Sequence, residues 1–239
     1  MFVTTSAIVI NRIKFKDNDL ILKLYTKEYG LLTFISKKST NRGKNKLNSF
    51  FQPLTILQIS FLNNKKKEML YFKSVDLKYN FKSLHTDYKK ISVTLFISEI
   101  LTNVLKFQNK DLILYDFIER SMIYFDRSNS SINFHLYFLI QLTIFLGFSP
   151  ANTQGKQKYF NLQEGLFTDE KPKNFFLHGE ELEAFKFLLG TKFEDLHLLT
   201  INSSQRNKML DFMLKYYMFH IEGFRGLNSY EVLKRIHEK

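Results

Sequence analysis

The chain has 239 residues, 44% of them hydrophobic, with 26 Phe and 12 Tyr, no Trp, no Cys and a formal net charge of +12. The missing cysteines exclude disulfides, thiolate metal sites and a cysteine nucleophile. Three Pro and nine Gly are too few for a linker-rich or disordered chain. The charge is uneven: residues 1–80 hold 15 basic and 5 acidic side chains, a net of +10, and residues 81–239 hold 20 and 18, a net of +2. A genome-wide bias toward Lys raises both parts alike, so the split points to a polyanion-binding head followed by a packing domain.

The first third alternates apolar and polar residues with the period of strands. Thr5–Phe15 places Ile8 and Ile10 on one face. Asp17-Asn18-Asp19 is a turn signal, and Asp19–Thr26 then alternates Leu20, Leu22 and Leu24 with Lys23 and Tyr25. Lys27-Glu28-Tyr29-Gly30 turns into Leu31–Ser36, and a polar stretch follows from Lys37 to Lys46. Pro53 opens Leu54–Leu62, and Asn63-Asn64-Lys65 turns into Glu68–Leu77. Five short strands with one long loop suit a small closed barrel of the OB type.

After residue 80 the period becomes helical. Tyr88–Leu105 and Asp111–Arg127 are amphipathic, and Ile132–Leu146 is apolar on most sides, as a buried central helix would be. An irregular insertion is expected at 151–170, with short strands around Tyr159–Leu162 and Gly165–Thr168. Helices over Glu180–Leu189, Ser204–Ile221 and Ser229–His237 complete the chain, with Ser203 or Ser204 as a cap. The predicted fold class is α+β: an N-terminal five-stranded OB barrel over 1–80, then a helical domain over 81–239.

Catalytic motifs are missing. Gly43-Lys44 and Gly155-Lys156 lack the glycine spacing of a P-loop, and there is neither a Gly-x-Ser-x-Gly elbow nor a His-Glu-x-x-His helix. His178-Gly179-Glu180 and His220-Ile221-Glu222 match half of a zinc-deaminase signature whose other half needs cysteines. The basic third lacks the clustered carboxylates of a metal nuclease. The chain is read as no enzyme, with no cofactor and no metal. The first ten residues lack the basic start and apolar core of a signal peptide. Phe134–Phe148, the most apolar stretch, is about 15 residues, short of the roughly 20 that span a bilayer. The expectation is a soluble cytoplasmic protein with no membrane partner.

Nucleic-acid features are stronger. Lys37, Lys38, Arg42, Lys44 and Lys46 lie in ten residues without an acid, a composition suited to phosphate contact. Lys65, Lys66 and Lys67 sit in the last hairpin, and Lys14, Lys16, Lys23 and Lys73 on strands extend the basic surface. Tyr25, Phe15 and Phe72 are candidates to stack bases, with barrel core as the competing placement for each; Phe34, between Leu32 and Ile35, is read as core. An RNA-binding or ribosome-associated OB protein fits the same electrostatics.

The order of these features resembles one family, the bacterial recombination mediator and DNA repair protein RecO. Val3-Thr4-Thr5-Ser6-Ala7-Ile8-Val9 is similar to its first strand, and Leu24-Tyr25-Thr26-Lys27-Glu28-Tyr29-Gly30-Leu31 to its second hairpin. Phe51-Gln52-Pro53-Leu54 resembles the lead into its fourth strand. Leu146-Gly147-Phe148-Ser149-Pro150 resembles the end of its central helix, and Leu227-Asn228-Ser229-Tyr230-Glu231-Val232-Leu233 its C-terminal signature. The resemblance implies binding of single- and double-stranded DNA, annealing of complementary strands, and loading of RecA on strands coated by single-strand-binding protein. It implies RecR and the acidic C-terminal tail of the single-strand-binding protein as partners. Arg120 and Arg127 are candidates for holding that tail, which needs cations beside a hydrophobic groove. Many members carry a four-cysteine zinc site after the Leu-Gly-Phe-Ser-Pro equivalent. Here that segment has no cysteine, and Tyr159, Phe160, Leu162, Leu166 and Phe167 are expected to hold it by apolar contacts.

Overall fold

The structure is a computed structural model that describes residues 1–15, 19–37, 49–64, 67–106, 110–128, 132–151 and 156–237. By contact the chain falls into two compact units, Met1–Arg127 and Ser128–Lys239. In the first, strands β1 (Phe2–Phe15), β2 (Asp19–Thr26), β3 (Gly30–Ser36), β4 (Ile56–Leu62) and β5 (Leu70–Leu77) close into a barrel of order β1-β2-β3-β5-β4. Only the β3–β5 pairing is parallel. This is the predicted five-stranded OB barrel.

Alternation fills the barrel. Ala7 and Val9 from β1, Leu22 and Leu24 from β2, Phe34 from β3, and Leu57, Ile59 and Phe61 from β4 are fully buried in one cluster. Each such Leu or Phe contributes about 1.5–3 kcal/mol on leaving water. Phe34 meets Phe61 edge-on at 5.2 Å, a geometry that aromatic quadrupoles favour, and stacks on Phe72 at 4.5 Å.

Local chemistry shapes the connections. The β2–β3 turn needs a left-handed residue and has Gly30 at φ 71°. Thr26 Oγ1 closes the turn by donating to Gly30 O at 2.8 Å and accepting from Tyr29 N–H. Strand β4 begins at Ile56, two residues later than the alternation predicts. Leu54 is held at φ 62°, and its N–H donates to Val9 O at 2.7 Å, so it cannot continue a strand. The predicted Asp17-Asn18 turn lies outside the described residues, and Asp19 opens β2.

Helices α1 (Tyr88–Val104) and α2 (Leu112–Arg127) belong to the same unit as the barrel. Asp87 caps α1 by accepting from Lys89 and Lys90 N–H, and Asp111 serves the start of α2 by accepting from Ile113 and Leu114 N–H. Ser98 on α1 donates to Ile10 O at 2.6 Å. The buried Asp126 carboxylate accepts from Lys82, Ser83 and Leu84 N–H at 2.8–3.1 Å, tying the segment after β5 to the end of α2. Burial alone would raise its pKa; those donors outweigh that and hold it below the ordinary carboxylate range.

The second unit is built on α3 (Phe134–Phe145), buried along most of its length. Around it lie a small sheet of order β7-β6-β8, with β6 (Tyr159–Asn161), β7 (Leu166–Thr168) and β8 (Phe176–His178), and helices α4 (Gly179–Gly190), α5 (Ser203–His220) and α6 (Ser229–His237). Sequence periodicity misses β8 and a 3-10 turn over Phe193–Leu198. The cap of α5 is Asn202 rather than Ser203 or Ser204. Its side chain accepts from Gln205 N–H at 2.8 Å, and Gln205 Oε1 accepts from Asn202 N–H at 3.0 Å, a capping box that leaves the serines inside the helix.

Apolar packing holds the cysteine-free segment. Phe160 is fully buried, with its ring centroid 4.8 Å from both Phe167 and Phe185 and 5.8 Å from Tyr216. Leu162 is also buried, whereas Leu166 is half exposed and contributes less than expected.

Candidate nucleic-acid interface

The barrel wall presents its outward residues in two zones. On β1, Ala7 and Val9 point inward, so Ser6 and Ile8 point outward; on β2, Leu22 and Leu24 point inward and Tyr25 outward. Helices α1 and α2 cover this zone. The Ser6 and Tyr115 hydroxyls lie 2.6 Å apart, and the rings of Tyr25 and Tyr115 are 6.1 Å apart. Tyr25 is fully buried and donates to Asp111 O at 3.3 Å. Burial, then the Asp111 carboxylate, pushes its phenol up to about 12. With no exposed ring face, Tyr25 cannot stack a base, which corrects the expectation drawn from its position on an alternating strand.

Charge divides the same way. Lys27 forms an ion pair with Asp116 at 2.8 Å, and Lys78 with Glu119 at 2.6 Å; both carboxylates are on α2. The hydrogen bond to Asp116 raises the pKa of Lys27. Away from α2, Arg12, Lys14, Lys37, Lys67 and Lys73 are exposed and Lys23 is half-buried. No ion pair joins any of these six to a described carboxylate. Their charges are therefore tied up in no direct ion pair, although Glu68 and Asp76 are also exposed on this part of the barrel.

The remaining candidates fall as follows. Lys14 and Lys23 lie on β1 and β2, Lys37 just past β3, and Lys67 just before β5. Lys16, Lys38, Arg42, Lys44, Lys46, Lys65 and Lys66 lie outside the described residues. Phe72 is half-buried and stacked on Phe34 and on Phe51 at 4.5 and 5.6 Å, so its ring serves the core; Phe15 is half-buried at the end of β1. Arg120 is exposed on α2. Arg127 donates from Nε to Tyr79 Oη at 3.1 Å and lies over the Tyr79 ring. Sequence reasoning passed over Phe2 and Tyr71, which are 57% and 52% exposed. Parity identifies them: Leu70 and Phe72 point inward on β5, so Tyr71 points out.

In the second unit some of the charged groups pair with one another. A cavity of about 500 Å³ in the second unit is floored by Phe176, Leu177 and Phe212. On its rim Lys208 pairs with Glu181, and Asp211 pairs with Lys234 and accepts from Tyr230. No group of three or more His, Cys, Asp or Glu able to hold a metal occurs among the described residues. A four-thiolate zinc site has no donor in this chain. No described helix is long and apolar enough to cross a membrane.

Comparison with known proteins decides the family. The model for the recombination protein O N terminal matches residues 1–81, and that for the recombination protein O C terminal matches residues 85–230. The chain belongs to the RecO family. DNA repair protein RecO of Christiangramia forsetii is 35% identical over 237 residues, covering 99% of each chain. The RecO proteins of Flavobacterium psychrophilum and Flavobacterium johnsoniae are 33% and 31% identical over the same length and coverage. RecO is thus a family of DNA repair proteins to which both units of this chain belong, barrel and helices alike.

Proposed function

We propose that this chain is a non-catalytic recombination mediator that binds single- and double-stranded DNA and anneals complementary strands. The observation that carries it is the open zone of the barrel, where six described cations have no carboxylate partner while those facing α2 are neutralised. Lys14, Lys23, Lys37 and Lys67 contact phosphates there, joined by Lys16, Lys38, Arg42, Lys44, Lys46, Lys65 and Lys66. Neutralising two strands at once lowers their mutual repulsion, so that complementary bases can meet. In the cytoplasm the protein works with RecR and with the acidic tail of single-strand-binding protein, and helps RecA onto coated strands. Arg120 is the freer of the two tail candidates, because Arg127 is already engaged by Tyr79.

The test is annealing of complementary strands coated with single-strand-binding protein. The protein should speed it severalfold or more; no acceleration, with or without RecR, would sink the reading. Equal-length single-stranded RNA serves as competitor in the same assay, and preferential capture of RNA would move the function to an RNA-binding protein.

A further inference from the structure

The open zone of the barrel carries aromatic rings as well as charge. Tyr71 on β5 and Phe2 on β1 are each more than half exposed. A single exposed ring needs no explanation by itself; these two share the open zone with the lysines that no ion pair holds. Each ring also has a lysine over it. Lys73 Nζ is 4.4 Å from the Phe2 ring centroid, and Lys37 Nζ is 5.8 Å from that of Tyr71.

A β-bulge lies beside these residues. Between Ser60 and Phe61 of β4 the register slips, so that Ser60 faces Ser74 and Phe61 faces Phe72, and Lys73 has no partner. Inward parity shifts across it, from Leu70 and Phe72 to Val75. Plain alternation with the inward Leu70 and Phe72 sends Tyr71 and Lys73 out of the same side of the sheet, and the bulge shifts the parity only after Lys73. Two residues apart on a strand, they are about 7 Å apart. Phe2 lies beyond Lys73, at the end of β1 where it pairs with Leu62. Tyr71 pairs with Ile35, and Thr33 on the same strand pairs with Lys23. The wall from β2 through β3, β5 and β4 to β1 thus carries Lys23, Ile35, Tyr71, Lys73 and Phe2 on its outer side.

We propose that Tyr71 and Phe2 are stacking platforms for the unpaired bases of a single-stranded nucleic acid, with Lys73 and Lys37 taking its phosphates. The assignment rests on the nucleic-acid-binding function above and names the strand state and the residues that read it. Bases stack on aromatic rings without regard to sequence, and flanking cations track the backbone. A duplex hides its base faces, so the platforms act on single strands alone. The flexible four-carbon stem lets each lysine end swing from the ring it lies over to a backbone oxygen.

The experiment measures binding of a labelled single strand, an abasic strand of equal length and a blunt duplex to the full chain. Variants are Tyr71→Ala, Phe2→Ala, Tyr71→Phe and Lys73→Gln. Tyr71→Ala and Phe2→Ala should each weaken the intact single strand about 5- to 150-fold, the span of one lost base stack. They should leave the abasic strand and the duplex unchanged, and Tyr71→Phe should bind like the parent. Lys73→Gln should weaken all three ligands. Unchanged single-strand affinity in both alanine variants overturns the proposal, and so does an equal loss on the abasic strand. Duplex binding reports that a variant is folded. Failure of the parent chain to bind any strand is a different result, which removes the DNA-binding function itself.

Discussion

Replacing Lys23, Lys37 and Lys73 together by Gln removes three unpaired cations from the open zone of the barrel without touching its core. For single strands, log affinity falls with log salt at a slope of about −0.7 per neutralised phosphate. Six contacts, from Arg12, Lys14, Lys23, Lys37, Lys67 and Lys73, give a slope of about −4, or about 300-fold between about 50 and 200 mM salt. Three contacts give about −2, or about 20-fold. Contacts from residues 38–48 add equally to both slopes and cancel in the difference. Lys27→Gln with Lys78→Gln is the control, since both ammonium groups already sit against α2 carboxylates at 2.8 and 2.6 Å. Fluorescence anisotropy at four or more salt concentrations reads the slopes. The triple variant should flatten its slope by about 2, and the control should not. An unchanged triple variant, or an equal change in the control, would show that pairing does not decide which cations meet DNA.

Two stability predictions follow from buried polar geometry. Asp126→Ala strips the acceptor from three backbone N–H groups and should cost about 2–4 kcal/mol in urea denaturation at pH 7. Because folding depresses the pKa of Asp126, its contribution is complete above the unfolded value of about 3.9 and fades as pH falls below it. The gap between parent and variant should therefore narrow in acid; a gap that widened would reverse the assigned shift. Gly165→Ala places a Cβ 2.9 Å from Tyr216 Oη at a φ of 70°, and that hydroxyl is pinned by donating to Phe148 O at 2.7 Å. The expected cost is about 2 kcal/mol, with hydrogen-exchange protection lost first in β6, β7 and α5; a neutral substitution would mean Tyr216 is free to move.

Alternation made the barrel legible, since its interior is filled by every second residue and period two is visible without a partner strand. Helical spacing and apolar density did the same for α1 to α3. What stayed hidden depends on contacts between distant segments. Tyr25 has the right parity for an outward binding residue, and only the arrival of α2 some ninety residues later buries it. The inward turn of Val75, three residues after Phe72, comes from a bulge that no local pattern announces. β8 is three residues long, and pairing with β6 defines it rather than its own composition. Charge was legible in sum, but its neutralisation was not. Lys27 and Lys78 look like the other lysines of the first third until Asp116 and Glu119 are placed beside them.

The helix that hides Tyr25 also shapes the interface. Asp116 and Glu119 cancel the cations nearest α2, and Tyr115 covers the outward hydroxyl of Ser6. A nucleic acid approaching that side would meet carboxylates and buried rings. On the other side it would meet lysines held in no ion pair and open aromatic faces. On the proposed reading, one wall of a small barrel serves packing over one zone and recognition over the other, with the boundary drawn by α2. Reversing the charge of Asp116 or Glu119 would extend the positive field across that boundary and raise affinity for any strand. It would add no ring to stack on, so the added affinity would not distinguish single strands from duplex.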